Sequence, residues 1–137
     1  MERAQQNNAT QTCPCGSGRS FHDCCEPYLS GEPIPDIETL LRARFSAYAT
    51  ANVNFIRQTW HPATRPARIN LDNAESVKWL SLDIVRIERG SVEDQDGSIE
   101  FAAHYSVNGE EGDLHEISQF IREQGKWYYM EGSTTTY

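Results

Sequence analysis

Ile99-Glu100-Phe101-Ala102-Ala103-His104-Tyr105-Ser106-Val107 places an apolar residue at every second position. Successive side chains of an extended chain point to opposite faces, so Ile99, Phe101, Ala103, Tyr105 and Val107 share one side and His104 shares the other with Ala102 and Ser106. This predicts a half-buried strand. Asn108-Gly109-Glu110-Glu111-Gly112 then reads as a turn, and residues 113–122 return as the hairpin partner. Glu123-Gln124-Gly125 makes a second turn before a strand over 126–131. On the upstream side Leu82, Ile84, Val85 and Ile87 predict a strand over 82–88, ended by Arg89-Gly90. The second half of the chain is therefore an antiparallel meander.

Before residue 82 the period is helical. Asp36 is an N-cap candidate after Pro35, and Ile37, Leu40, Leu41, Phe45 and Tyr48 recur on one face of a helix. Arg42 and Arg44 fall on flanking faces, where solvation is the expectation. Asn52 caps a second short helix through Phe55, Ile56 and Trp60, stopped by Pro62. Asp72-Asn73-Ala74-Glu75 resembles a capping box and predicts a third helix running to about Leu80. Residues 26–35, with Pro27, Gly31, Pro33 and Pro35, read as an extended linker. Helices followed by an antiparallel meander indicate an α+β layer fold.

All four cysteines lie within thirteen residues, Cys13-Pro14-Cys15-Gly16-Ser17-Gly18-Arg19-Ser20-Phe21-His22-Asp23-Cys24-Cys25. Four thiolates surround one zinc ion tetrahedrally, and an eight-residue spacer lets the two pairs meet. Soft sulfur selects zinc, copper(I) or iron–sulfur centres over calcium or magnesium. Gly16 and Gly18 suit a tight knuckle whose N–H groups, with Arg19, offset the charge of the sulfurs. Disulfides are the rival reading, but adjacent cysteines bridge only with strain and C-x-C closes a very small ring. A redox or iron–sulfur role and a spare ligand in His22 are the remaining alternatives.

The chain has 137 residues, enough for one domain with a small appendage. A hydrophobic fraction of 38% with three Trp, six Tyr and five Phe leaves much of the core to aromatic rings. A formal net charge of −8 disfavours nucleic acid and anionic membranes as partners. No apolar run approaches the roughly 18–20 residues of a membrane span. Residues 1–12 lack an apolar secretory region and any periodicity, and are expected to be a disordered tail. Cysteines confined to a metal pattern fit a reducing cytosol, so the expected location is cytoplasmic.

Residues 13–25 resemble the SEC-C motif, the short zinc-binding element also found at the C-terminus of the preprotein translocase SecA. The likeness rests on C-P-C-G-S-G, a basic residue, Phe21 and the closing C-C pair. It implies Cys13, Cys15, Cys24 and Cys25 as ligands of one structural zinc ion, the last of which is His in some members. Pro27-Tyr28-Leu29-Ser30-Gly31, Leu41-Arg42-Ala43-Arg44-Phe45, Thr59-Trp60-His61-Pro62 and Trp127-Tyr128-Tyr129 extend the similarity to the YchJ-like family of uncharacterised bacterial proteins. That resemblance implies a nuclear-transport-factor-2-like, cystatin-like cone, with helices packed on a curved antiparallel sheet and a zinc knuckle in front. The expected divisions are a tail at 1–12, the SEC-C element at 13–31 and the α+β domain at 36–134.

No nucleophile motif, phosphate-cradling loop or metalloprotease helix is present, so no catalytic residue is assigned. The expectation is a non-enzymatic zinc protein whose front element meets another protein. The alternative is a small-molecule binder or enzyme using a pocket in the cone. Trp60, His61, Trp79, His104, Glu116 and Trp127 are the candidates for that pocket, with His104 and Glu116 meeting across strands as an acid–base pair if the register permits.

Overall fold

The computed structural model describes residues 11–69 and 77–134. Helices α1 (Glu26–Leu29), α2 (Ile37–Ala49) and α3 (Val53–Gln58) precede strands β1 (Val77–Arg89), β2 (Asp96–Val107), β3 (Glu110–Glu123) and β4 (Lys126–Thr134). The strands form one antiparallel sheet in the order β1-β2-β3-β4. Register shifts between Trp79 and Ser81, Ile84 and Arg86, and Gln119 and Phe120 mark bulges, which bend and twist a sheet locally.

Helix α2 begins where the sequence says it should. The Asp36 carboxylate accepts from the Thr39 N–H at 2.9 Å, satisfying one of the orphan donors of the first turn. Its position on the sheet is set by glycine. The Ile37 N–H donates to the Gly90 carbonyl at 3.1 Å, at the turn between β1 and β2. A Cβ on Gly90, whose φ is +80°, would stand 2.2 Å from Ile37 Cδ1. One on Gly97 would stand 2.6 Å from the Gly90 nitrogen. Only side chains absent at both positions let the fully buried Ile37 dock. Leu40, Leu41, Phe45, Ala43 and Ala47 continue the buried face against Leu82, Ile99, Phe101, Ala103 and Phe120 of the sheet. Each fully buried Leu or Ile contributes about 1.5–3 kcal/mol. Residues 59–61 run beside β4: Tyr129 N–H donates to the Thr59 carbonyl at 2.7 Å and His61 N–H to the Tyr129 carbonyl at 2.8 Å.

Several local expectations change. The helix predicted over 72–80 does not reach its end, because 77–80 belong to β1, pairing Val77 with Val107 and Trp79 with Tyr105; its start lies outside the described residues. A β-branched and an aromatic residue opposite similar partners outweigh the capping signal. The linker contains one helical turn, α1, with Pro27 in its first turn where a missing N–H costs nothing. The five-residue turn shortens to Asn108-Gly109, both at positive φ, so Glu110–Gly112 extend the strand.

Candidate functional site

The four cysteines converge. Their sulfurs all lie within 4.8 Å of one another and all four residues are buried. The Cys15 and Cys24 sulfurs are 3.6 Å apart and no disulfide joins any of the four. A tetrahedron with metal–sulfur bonds of about 2.3 Å has edges of about 3.8 Å, so the donor set fits a single ion. Gly16 and Gly18 take φ of +82° and +89°, the left-handed geometry that folds the loop between the pairs. Cys13 N–H donates to the Arg19 carbonyl at 2.8 Å and closes that loop. The Ser17 hydroxyl reaches Cys24 Sγ at 3.1 Å. Arg19 bonds the Asp23 carbonyl instead of a sulfur. His22 stands outside the cluster, exposed and paired with Glu26 at 3.1 Å.

The crowded sulfurs do not titrate alike. Contact with Cys13 and Cys25 holds Cys15 far below the usual thiol range. Contact with Cys13 and Cys15 drives Cys25 far above it, and burial raises Cys24. Four thiolates cannot coexist this closely unless a cation lies among them. The cluster is also tied to the main domain. Ser46 Oγ of α2 lies 3.4 Å from Cys13 Sγ, and the Arg42 guanidinium donates to the Cys15 carbonyl at 2.9 Å.

A second feature lies between α2 and the sheet. A cavity of about 250 Å³ is walled by apolar side chains including Phe45, Trp79, Leu82, Phe101 and Leu114. Five polar side chains also line it: Arg44, Tyr48, Glu116, Ser118 and Tyr129. Arg44 is buried, which lowers the pKa of its guanidinium. It donates to the Ile56 carbonyl at 3.0 Å and to Thr59 Oγ1 at 2.7 Å, and lies 4.4 Å from the Tyr129 ring centroid and 5.3 Å from that of Trp60. Glu116 Oε2 accepts from the Ser118 hydroxyl at 2.7 Å. A Cβ on Gly132 would fall 2.0 Å from that oxygen, so the glycine makes room for the carboxylate. Burial and Glu116 push the Tyr129 hydroxyl up to about 12, and burial raises Tyr48 as well.

Of the six pocket candidates named from the sequence, Trp79 and Glu116 line this cavity. Trp60 stands behind it, its ring edge on Tyr129 at 5.0 Å and its indole N–H buried with no partner among the described residues. Trp127 is core and donates to the Pro35 carbonyl at 3.1 Å. His61 accepts from the Ala63 N–H at Nδ1 and meets Glu123 through Nε2 at 3.0 Å. His104 does not meet Glu116. The register sets Phe101 opposite Glu116 and His104 opposite Asp113, which puts the two on opposite faces of the sheet. His104 lies 2.5 Å from Asp113 and 2.7 Å from Asp83, and these carboxylates raise its pKa.

Sequence reasoning missed four of the polar lining residues, Ser118 and Tyr129 on the sheet and Arg44 and Tyr48 on α2. On α2 the spacing held the signal: Leu41, Arg44 and Tyr48 follow at i, i+3 and i+7, on the stripe that faces the sheet.

Comparison with known proteins accords with this geometry. Residues 36–132 match the family described as YchJ, middle NTF2-like domain, and residues 10–27 match the SEC-C motif. A UPF0225 protein of Chromobacterium violaceum is 42% identical over 130 residues, covering 93% of this chain and 96% of its own. One from Xanthomonas campestris is 40% identical, covering 89% and 94%. The solution structure of a SEC-C motif containing protein from Rhodopseudomonas palustris superposes with a TM-score of 0.78 at 32% identity, covering 90% of this chain and 98% of that one. The crystal structure of a SEC-C motif containing protein from Psychrobacter arcticus shares the fold, with a TM-score of 0.76 at 22% identity, over 95% of this chain and 86% of that one.

Proposed function

The chain belongs to the YchJ-like family, with an N-terminal SEC-C motif before its NTF2-like domain, and from that premise we propose that it is a cytoplasmic, non-enzymatic zinc protein that meets a protein partner through its front element. Cys13, Cys15, Cys24 and Cys25 hold one zinc ion, and the observation that carries this is the convergence of their four sulfurs within 4.8 Å. Sulfur donors favour zinc among the common structural ions. With all four positions taken by thiolate no place is left for water, so the ion braces the fold instead of activating a substrate. Residues 13–31 form the zinc element and 36–134 the domain that carries it; Gln11 and Thr12, expected as part of a tail, pair with Phe21 and Ser20 of the element.

The interaction role draws on the analogy with the SEC-C element of the preprotein translocase. Arg19, His22 and Asp23 around the loop bear charges or polar groups at the surface. Reduced thiols are at home in the cytosol, and no helix among the described residues is long and apolar enough to cross a membrane.

Elemental analysis of the purified chain is expected to give one zinc per chain, lost in a Cys13→Ser, Cys15→Ser variant. Affinity capture from bacterial lysate with both forms tests the partner: proteins retained by the intact chain and lost with the variant support the interaction role, and identical lists remove it. Substoichiometric metal in freshly purified protein contradicts the zinc assignment itself.

A further inference from the structure

The cavity between α2 and the sheet has a chemistry that the metal reading does not use. We propose that it is a binding site for a small neutral molecule with an aromatic or aliphatic body and a hydroxyl-type head that both donates and accepts a hydrogen bond.

Size comes first. About 250 Å³ corresponds to roughly eight water volumes at about 30 Å³ each, which suits a body of one ring with a short substituent. The walls come next. Trp79, Phe101 and Leu114 offer faces from which such a body would displace water.

The polar groups then select the head. Arg44 brings a cation and Glu116 a carboxylate, so the lining is balanced in charge and a neutral guest adds no uncompensated charge to a site of low dielectric. Arg44 is also poorly placed to read an anion. One of its nitrogens is engaged by Ile56 and Thr59, Tyr48 takes a further hydrogen bond, and its Cζ lies within 5.3 Å of the Tyr129 and Trp60 ring centroids. Glu116 keeps acceptor capacity, because a carboxylate offers about four lone-pair positions, of which Ser118 takes one and Tyr129 another. The Tyr129 proton is committed to Glu116, whereas the Tyr48 hydroxyl accepts from the Arg44 guanidinium and keeps its own proton free to donate. A guest hydroxyl would donate to Glu116 and accept from Tyr48, both of which line the cavity. Glu116 stands opposite Phe101, balances the buried Arg44 guanidinium, and is held in place by Ser118 and by the space that Gly132 leaves.

The probes are p-cresol, toluene and benzoate, added to the full zinc-loaded chain and followed by amide and indole NMR shifts, including the indole N–H of Trp79. p-Cresol is expected to bind saturably with Kd of about 1 mM or tighter, a reasonable value for so few atoms. Toluene, which lacks the hydroxyl, should bind about fivefold more weakly, the scale of one hydrogen bond, and benzoate more weakly still. Glu116→Gln should weaken p-cresol about threefold or more while keeping the spectrum of a folded chain. Ala103→Phe should fill the cavity and abolish binding, with Leu114→Phe as the substitute if that variant does not fold. Absence of saturable shifts, toluene or benzoate binding as tightly as p-cresol, or indifference to both Glu116→Gln and cavity filling would each overturn the proposal. None of these results bears on the cysteine cluster, which is scored by its own metal content.

Discussion

Arg44 shows how much one side chain can decide. A buried guanidinium loses its hydration, and in this site the loss is offset from several directions at once. The Ile56 carbonyl and Thr59 hydroxyl accept from it, and the rings of Tyr129 and Trp60 lie against it. Hydrogen bonds to a charged group contribute about 1.5–3 kcal/mol each and a desolvated cation–π contact about 2 kcal/mol, so the interactions together outweigh an ordinary core contact. Arg44→Ala is expected to destabilise the chain by about 3 kcal/mol in urea denaturation, since it leaves the Ile56 carbonyl and Thr59 hydroxyl without their donor beside an enlarged void. Arg44→Lys keeps the charge but loses the planar fork and the stacking, and should cost about 1–2 kcal/mol. A change below about 0.5 kcal/mol for the alanine variant, the scale of a surface substitution, would show that Arg44 is a passenger.

At the scale of elements, the sheet gathers charges that are far apart in the chain. Asp83 of β1, His104 of β2 and Asp113 of β3 meet on the face turned away from α2. Both ring nitrogens face carboxylate oxygens, so the imidazolium, with two donors, is the favoured form, and the His104 pKa lies above its ordinary value. The raised value fixes the direction of the pH effect. Stabilisation from this group is complete below the ordinary histidine pKa of about 6.5 and fades as pH rises through the higher folded value. Because the site is largely exposed, screening keeps the effect small. NMR titration should place the His104 midpoint above the ordinary histidine value, and Asp113→Asn should bring it down; an unshifted midpoint in the variant would contradict the pairing. The same register explains what the sequence could and could not tell. Helix α2, its Asp36 cap and the alternation of β2 were legible because each depends on local spacing. The partner of His104 was not, since whether Glu116 or Asp113 stands opposite depends on a two-residue turn at Asn108-Gly109 that looked three residues longer. Arg44 was misplaced for a related reason: charge argued for solvent, while its position in the helical stripe argued for the interior. The gathering of the four cysteines was legible because C-x-C and C-C stand eight residues apart, while disulfides stayed a rival reading that spacing could not remove and the unbridged sulfurs do.

For the whole molecule the question is how far the front element and the main domain depend on each other. Residues 13–25 have almost no apolar core apart from their sulfurs and Phe21, so the element has no evident means of folding unless an ion holds the thiolates together. The domain behind it has its own core in Ile37, Leu40, Ile56, Ile99 and Phe120, and should survive alone. Contact between the two is real but limited: Ser46 to Cys13, Arg42 to the Cys15 carbonyl, and Gly16 lying close to the Leu82 backbone of β1. Losing two polar contacts and some packing amounts to about 1–2 kcal/mol, which for a domain of this size is about 3–8 °C in Tm. Chelation should therefore erase the dispersed NMR signals of residues 11–30, leave those of β2 and β3 in place, and lower the main transition by that amount, with recovery on adding zinc. Complete unfolding on chelation would mean that the ion organises the entire chain, and unchanged signals at 11–30 would mean that the sulfurs assemble without it. The Arg42→Ala variant separates anchoring from metal binding: it should retain one zinc per chain and yet show part of the fall in Tm, because the guanidinium holds Cys15 to α2 through its carbonyl and its sulfur while all four sulfurs remain in the variant.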